Sequence, residues 1–168
     1  PLMNYKNVLA SIEKITQPEG LGMSPKRITV STSGIPKLIR KMADEDVKFR
    51  LAVSLHSARQ EVREKIMPFA TKFPLDELLE SLQYWYAKTK RRITFEYVVW
   101  EGVNDTKEDI QALVKFCLNV PSKVNLIQYN PIDGSSMKQA PSSVIDSYIK
   151  TLSDSRIQVT YRRSRGED

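Results

Sequence analysis

Short apolar segments and longer amphipathic segments alternate along the chain, and this pattern predicts strands that are joined by helices. The clearest apolar segment is residues 50–56, where Leu51, Ala52 and Val53 form a run that is too short for a helix and suits a strand buried on both faces. Similar segments predict strands at residues 27–33, 50–56, 93–100, 124–129 and 156–162. Helical spacing predicts helices at residues 4–17, 37–44, 57–90, 106–118 and 143–152, with interruptions at Pro68 and Pro74.

This order of elements predicts an α/β fold, because helices that connect successive strands produce a parallel sheet. Five strands are too few to close an eight-stranded barrel. An incomplete, TIM-type β/α barrel with outer helices and an open sheet both remain possible. We expect residues 1–168 to form a single domain, since a chain of this length buries about 70% of its unfolded surface.

The composition is that of a globular chain, with 40% hydrophobic and 27% charged residues. No apolar run is long enough to span a membrane. The single cysteine, Cys117, excludes an internal disulfide and favours a reducing, cytoplasmic compartment; its apolar neighbours predict a core position. The net charge of +6 permits an acidic partner such as nucleic acid without showing one.

Polar residues recur where the predicted strands end. Ser31, Ser54, His56 and Asn130 each lie at or just beyond the carboxyl end of a strand, which is where parallel α/β proteins bind ligands. Each of them alone is more often a turn former, a helix cap or a structural residue. Their recurrence on successive strands suits a polar small molecule with a ribose and an amino-acid end. Glu96 lies within a strand, and the register that decides its direction is open.

Several other kinds of site are absent from the sequence. It contains no Gly-x-Gly-x-x-Gly, no Walker-type Gly-Lys-Ser/Thr and no His-Glu-x-x-His. One cysteine and one histidine cannot build a zinc or iron–sulfur site within these residues.

Five segments of the chain stand out by their order and spacing. They are Arg27-Ile-Thr-Val-Ser-Thr-Ser-Gly34, Leu51-Ala-Val-Ser-Leu-His56, Val103-Asn-Asp105, Asn125-Leu-Ile-Gln-Tyr-Asn-Pro131 and Arg163-Ser-Arg-Gly166. In this combination they resemble the bacterial radical S-adenosylmethionine methyltransferases of the RlmN/Cfr family. Members of that family methylate C2 of an adenine in 23S ribosomal RNA, and the RlmN branch also methylates a transfer-RNA adenine.

The resemblance implies which residues of this chain contact S-adenosylmethionine. The matched positions are Ser31, Ser54, Leu55, His56 and Asn130. It also implies that no catalytic residue and no metal ligand lies within the chain. The family's cysteine motif for a [4Fe–4S] cluster would precede Pro1, and the cysteine that carries the transient methyl group would follow Asp168. We therefore expect a fragment of a radical S-adenosylmethionine core, truncated at both ends and inactive by itself.

The ends of the chain fit this expectation, because it begins at Pro1 without methionine and stops soon after a strand. The first predicted strand, residues 27–33, would then be an unpaired edge, so we expect it either to pair with a second copy of the fragment or to be partly disordered. Arg162, Arg163 and Arg165 follow the last strand on the side of the site, so we expect them to contact RNA phosphates. Lys88, Lys90, Arg91 and Arg92 are expected to form a solvated face.

Two further functions compete with this one. The first is a different small-molecule β/α barrel enzyme with an unrecognised phosphate loop. The second is a non-catalytic RNA-binding module, which only the basic composition supports.

Overall fold

A computed structural model of the chain describes residues 2–163. The five strands are β1 Thr29–Thr32, β2 Arg50–Ser54, β3 Ile93–Val98, β4 Ser122–Ile127 and β5 Gln158–Arg162. The α-helices are α1 Tyr5–Thr16, α2 Pro36–Asp44, α3 Gln60–Ile66, α4 Leu75–Thr89, α5 Lys107–Cys117 and α6 Ser142–Asp154. Short 3-10 helices occupy Leu2–Asn4, Pro25–Arg27 and Pro68–Lys72.

The strands form one sheet in the order β1-β2-β3-β4-β5, and every neighbouring pair is parallel. Each crossover moves one strand further in the same direction, so right-handed connections place the connecting helices on one face. A doubly wound sheet would instead reverse its strand order at a switch point. The topology confirms the predicted α/β fold and favours the partial barrel over the open sheet.

The two faces of the sheet differ in polarity, as the barrel interpretation requires. On β3, Ile93, Phe95 and Tyr97 are buried, whereas Thr94 and Glu96 on the opposite face are only partly buried. The apolar face packs against the helices: the Phe95 and Phe116 rings lie 5.4 Å apart, and Phe49 lies 6.5 Å from Trp85. Each such buried side chain contributes roughly 1.5–3 kcal/mol through the hydrophobic effect. The polar face is therefore the inner face of the partial barrel.

Local sequence signals explain most element boundaries. Thr106 Oγ1 accepts from the Asp109 amide at 3.3 Å, and Asp109 Oδ2 accepts from the Thr106 amide at 3.0 Å, so the predicted capping box opens α5. The predicted interruptions at Pro68 and Pro74 divide residues 57–90 into α3, a 3-10 helix and α4. The first strand is shorter than predicted, because Arg27, its predicted first residue, belongs to the 3-10 helix Pro25–Arg27 and β1 begins only at Thr29.

β1 forms one edge of the sheet, since among residues 2–163 it pairs only with β2. Its open side borders a groove of about 450 Å³ between β1 and α1. The expected exposed edge is therefore present, and pairing with a second copy along it stays a prediction. No helix between residues 2 and 163 has the length and apolarity needed to cross a membrane.

Candidate functional site

The parallel sheet places the predicted ligand-binding residues at one end of the molecule. Ser31 lies opposite Ala52 in the β1–β2 register, Ser54 is the last residue of β2, and His56 follows it by two residues. Asn130 lies three residues beyond the last residue of β4 and is exposed. Because three strand spacings separate β1 from β4, these residues extend over about 14 Å along the sheet. Such a span suits an elongated ligand rather than a single ring.

Leu55 contributes to the core rather than offering a polar group. Its side chain is fully buried. Its amide donates to the Glu96 carbonyl at 3.0 Å, and its carbonyl accepts from Arg63 Nε at 3.1 Å. The structure thus gives Leu55 a packing role between two residues, Ser54 and His56, whose side chains are only partly buried.

His56 is held in one orientation by the neighbouring strand. Its Nδ1 accepts a hydrogen bond from the Val98 amide at 3.0 Å, so the neutral ring carries its proton on Nε2. The residue adopts a left-handed conformation with φ 57°, which turns the chain away from β2. Burial, together with the positive charge of Arg63, lowers the His56 pKa to about 4. The imidazole is therefore a neutral donor at pH 7.

Asn104 ties together the loops that follow β2 and β3. Its fully buried amide donates to the His56 carbonyl at 2.7 Å and to the Val98 carbonyl at 2.8 Å, and its Oδ1 accepts from the Trp100 amide at 2.8 Å. The Asn104 carbonyl in turn accepts from the Tyr148 hydroxyl at 2.6 Å. The Asn104 side chain thus makes three hydrogen bonds to backbone groups of the protein. It therefore stabilises the loops of the site and does not face a ligand.

A row of polar side chains crosses the inner face next to Ser54. The register places Ser54 beside Glu96, Glu96 beside Asn125, and Asn125 beside Thr160. Asn125 Nδ2 donates to Glu96 Oε1 at 3.3 Å, and the Thr160 hydroxyl donates to Asn125 Oδ1. Glu96 Oε2 is buried and has no hydrogen-bond partner among the described residues. This row therefore presents an unused acceptor on the inner face.

Arg63 is a fully buried cation beneath the carboxyl ends of β1 and β2. Its guanidinium donates to the carbonyls of Ser33 at 2.7 Å and Leu55 at 3.1 Å, and more weakly to that of Ser54 at 3.4 Å. No carboxylate within residues 2–163 forms an ion pair with it, and burial lowers its pKa to about 10. Arg63 thereby joins the two strand ends that carry Ser31 and Ser54.

A cluster of aromatic rings lies just beyond the carboxyl ends of β3 and β4. The Trp100 ring lies 5.6 Å from His56, edge to face, and 5.8 Å from Tyr129. An isolated bridge pairs Trp100 with Gln139, and the Glu101 amide donates to the Lys138 carbonyl at 2.9 Å. The loop after β3 is therefore fastened to the long loop that contains Asn130.

The basic residues predicted to contact RNA are only partly described. Arg162 ends β5 and is exposed, and the Arg163 guanidinium lies 5.9 Å from the Tyr161 ring. Arg165 lies outside the described residues. Arg162 pairs in register with Ile127 at the carboxyl end of β4, so its backbone reaches the same end of the sheet as Ser54.

The described residues do not fit an iron–sulfur cluster. Within residues 2–163 no group of three or more histidine, cysteine, aspartate or glutamate side chains could hold a metal ion. Cys117, the only cysteine of the chain, is buried, and burial raises its pKa to about 12. Cys117 therefore packs in the core, as its apolar neighbours predict.

Comparison with known proteins gives a consistent result. No family model matches the chain. All 168 residues align at 64% identity with a protein of Flavobacterium psychrophilum and at 62% with one of Christiangramia forsetii, both named probable dual-specificity RNA methyltransferase RlmN. Over its whole length the chain is therefore similar to proteins named RlmN. A solved radical SAM methyltransferase from Sphaerobacter thermophilus, 32% identical, superimposes on 99% of the chain with a TM-score of 0.94.

The chain spans about half the length of the RlmN relatives it matches, 48% in the two named. It likewise covers 49% of the Sphaerobacter chain. These matches confirm the resemblance and the α/β fold, and they support the partial barrel, one of the two arrangements that the sequence leaves open.

Proposed function

We propose that this chain is the part of a radical S-adenosylmethionine RNA methyltransferase that binds S-adenosylmethionine along the carboxyl edge of its sheet. The arrangement that supports the proposal most directly is the polar row of the inner face, in which Ser54 adjoins Glu96 and Glu96 keeps a buried oxygen, Oε2, without a partner in residues 2–163. A buried acceptor without a partner is costly, and a ligand hydroxyl or ammonium group would relieve that cost.

The donor set fits the two polar ends of the ligand. Ser31 and Ser54 offer hydroxyl groups, His56 offers Nε2–H, and Asn130 offers an amide, all at one end of the sheet. When bound, S-adenosylmethionine supplies the methyl group and the radical chemistry. The residues of this chain would orient the ligand, and the neutral His56 would donate a hydrogen bond without adding positive charge to a site for a cationic ligand. Arg63 and Asn104 hold the strand ends and loops in place.

The proposed reaction and RNA substrate of the full-length protein are based on the names of the relatives. They are RNA methyltransferases, so we propose that the full-length protein methylates RNA, with C2 of an adenine in 23S ribosomal RNA and in transfer RNA as the substrate. The [4Fe–4S] cluster is then a cofactor of the full-length protein, with ligands outside residues 2–163. Residues 1–168 form one part of that radical S-adenosylmethionine core, in a cytoplasmic enzyme.

Calorimetric titration of the anaerobically prepared full-length protein with S-adenosylmethionine tests the binding site. The double variant Ser54→Ala/Asn130→Ala should weaken binding at least tenfold, because two hydrogen-bonding groups are lost at about 1 kcal/mol each. Ser153→Ala, an exposed serine of α6, is the matched control and should bind as the wild type.

Unchanged affinity in the double variant would contradict the site. Absence of S-adenosylmethionine binding in the wild type, together with binding of RNA, would instead support the non-catalytic RNA-binding module. A different small molecule bound at the same residues would support an unrelated barrel enzyme.

A further inference from the structure

Six basic side chains surround a cavity of about 320 Å³ at the amino-terminal end of the sheet, the end opposite the candidate site. We call this surface the amino-terminal cavity. It is lined by Lys26, Lys48, Arg50, Arg91, Arg92, Thr94 and Lys123. Its cations come from several elements, since Arg50 begins β2, Arg92 immediately precedes β3 and Lys123 is the second residue of β4.

The amino-terminal cavity is not the basic cluster that the sequence suggests. In the run of residues 88–92, the Lys88 ammonium lies 5.5 Å from the Tyr84 ring centroid and the Lys90 ammonium 5.9 Å from that of Tyr86. Arg91 and Arg92 instead line the cavity. The four residues expected to form one solvated face therefore separate into two pairs. Arg91 and Arg92 lie beside basic residues that are distant in sequence.

Few counter-charges balance these cations. Lys26, Arg50, Arg92 and Lys123 have no ion pair within the part of the chain that the structure describes. Lys48 pairs with Asp46 at 2.7 Å, and the pKa of that exposed carboxyl is lowered by Lys48 and, to a smaller extent, by Arg91. The Arg91 guanidinium donates to the Val47 carbonyl at 2.6 Å. The cavity therefore keeps an excess of positive charge.

We propose that the amino-terminal cavity binds backbone phosphates of the RNA substrate, as a second contact remote from the methylation site. The proposal rests on the proposed function. Arginine and lysine side chains around a small cavity suit phosphate oxygens, and the Thr94 hydroxyl adds a neutral donor. This contact positions the RNA and carries no sequence information.

The length of the strands decides which RNA can use this contact. The six residues of β3 separate the two ends of the sheet by about 20 Å. A folded RNA that reaches both ends can occupy the cavity and the methylation site together, whereas a short oligonucleotide that carries only the target adenine cannot. The amino-terminal cavity should thus contribute to the affinity for folded RNA alone.

The test compares two triple variants of the full-length protein that lose the same charge. Arg50→Gln/Arg92→Gln/Lys123→Gln removes three cations of the cavity. Lys14→Gln/Lys107→Gln/Lys115→Gln removes three exposed lysines of α1 and α5 that lie outside it. Fluorescence anisotropy with a labelled, transcribed transfer RNA gives the dissociation constant between 50 and 300 mM KCl.

The cavity variant should reduce the slope of log K against log [KCl] by about two to three, because each lost phosphate contact lowers it by about 0.7 to 0.9. The control triple should keep the wild-type slope, and a six-nucleotide RNA should bind all three proteins equally. Equal slopes in the two triples would overturn the proposal. A wild-type protein that binds RNA but transfers no methyl group would overturn the proposed function. The comparison of salt slopes would then still test whether the cavity binds RNA phosphates.

Lysine footprinting provides a test that needs no variant. Acetic anhydride should label Lys26, Lys48 and Lys123 less when transfer RNA is bound, while Lys14 and Lys115 should stay unchanged. Protection by 5 mM inorganic phosphate but not by RNA would mean a small-anion site and would overturn the proposal. Protection that is absent with both ligands would overturn it as well.

Discussion

The depressed pKa of His56 provides the most quantitative prediction. In the folded chain the imidazole pKa is about 4, whereas an ordinary histidine titrates near 6.5. The first cause is burial and the second is the buried charge of Arg63. The hydrogen bond that Nδ1 accepts from the Val98 amide also favours the neutral ring, because a protonated Nδ1 could not accept it.

This difference makes stability depend on pH in one direction. Between about pH 4 and 6.5 the unfolded chain binds a proton that the folded chain does not, so the free energy of unfolding falls as the pH falls through this window. A difference of about 2.5 pKa units corresponds to about 3 kcal/mol. Above about pH 7 both states carry the neutral ring, and the contribution no longer changes.

NMR titration of the imidazole and urea unfolding at pH 7 and pH 4.5 measure the two effects. His56 is the only histidine of these 168 residues, so loss of its signal in His56→Gln assigns it. The stability of the wild type relative to that variant should decrease by about 2–3 kcal/mol on going from pH 7 to pH 4.5. A titration midpoint near 6.5 in the folded chain would refute the hydrogen bond from Val98 and the burial of the ring.

Two other predictions concern buried groups. Arg63→Met leaves the Ser33 carbonyl without a donor among the described residues, and the Leu55 carbonyl keeps only the Ser57 amide, at 2.8 Å. The loss of these charge-assisted hydrogen bonds should lower the free energy of unfolding by about 3 kcal/mol in urea; a loss below about 1 kcal/mol would show that the Ser33 carbonyl finds another partner. Cys117, whose pKa burial raises to about 12, should react with iodoacetamide at pH 8 at least a hundredfold more slowly in the folded chain than in 6 M urea. Equal rates would place the thiol at the surface.

The sequence is sufficient to predict the elements and their order, because local chemistry determines them. The alternation of Ile93, Phe95 and Tyr97 with polar residues predicts β3, and Thr106 with Asp109 predicts the start of α5. The approximate positions of the polar strand ends follow from the same patterns. These features need only the neighbours along the chain.

The details of the site require contacts that are distant in sequence. The direction of Glu96 depends on the register of β3, and only the register reveals that it adjoins Asn125. Both residues could have been suggested by their polar positions within alternating strands. Arg63 gives no such signal, because a charged residue on a helix normally predicts exposure, and its partners are carbonyls up to 30 residues away. The sequence does not predict the amino-terminal cavity either, because its cations lie on separate elements that only the fold brings together.

Photo-cross-linking of the anaerobic full-length protein with 8-azido-S-adenosylmethionine tests most directly whether the carboxyl edge of the sheet holds the ligand. We predict that the label, suppressed by excess S-adenosylmethionine, is recovered in peptides that contain residues 54–57 or 128–134. Label confined to residues 48–50, 91–94 or 123, at the opposite end of the sheet, would contradict the proposed site.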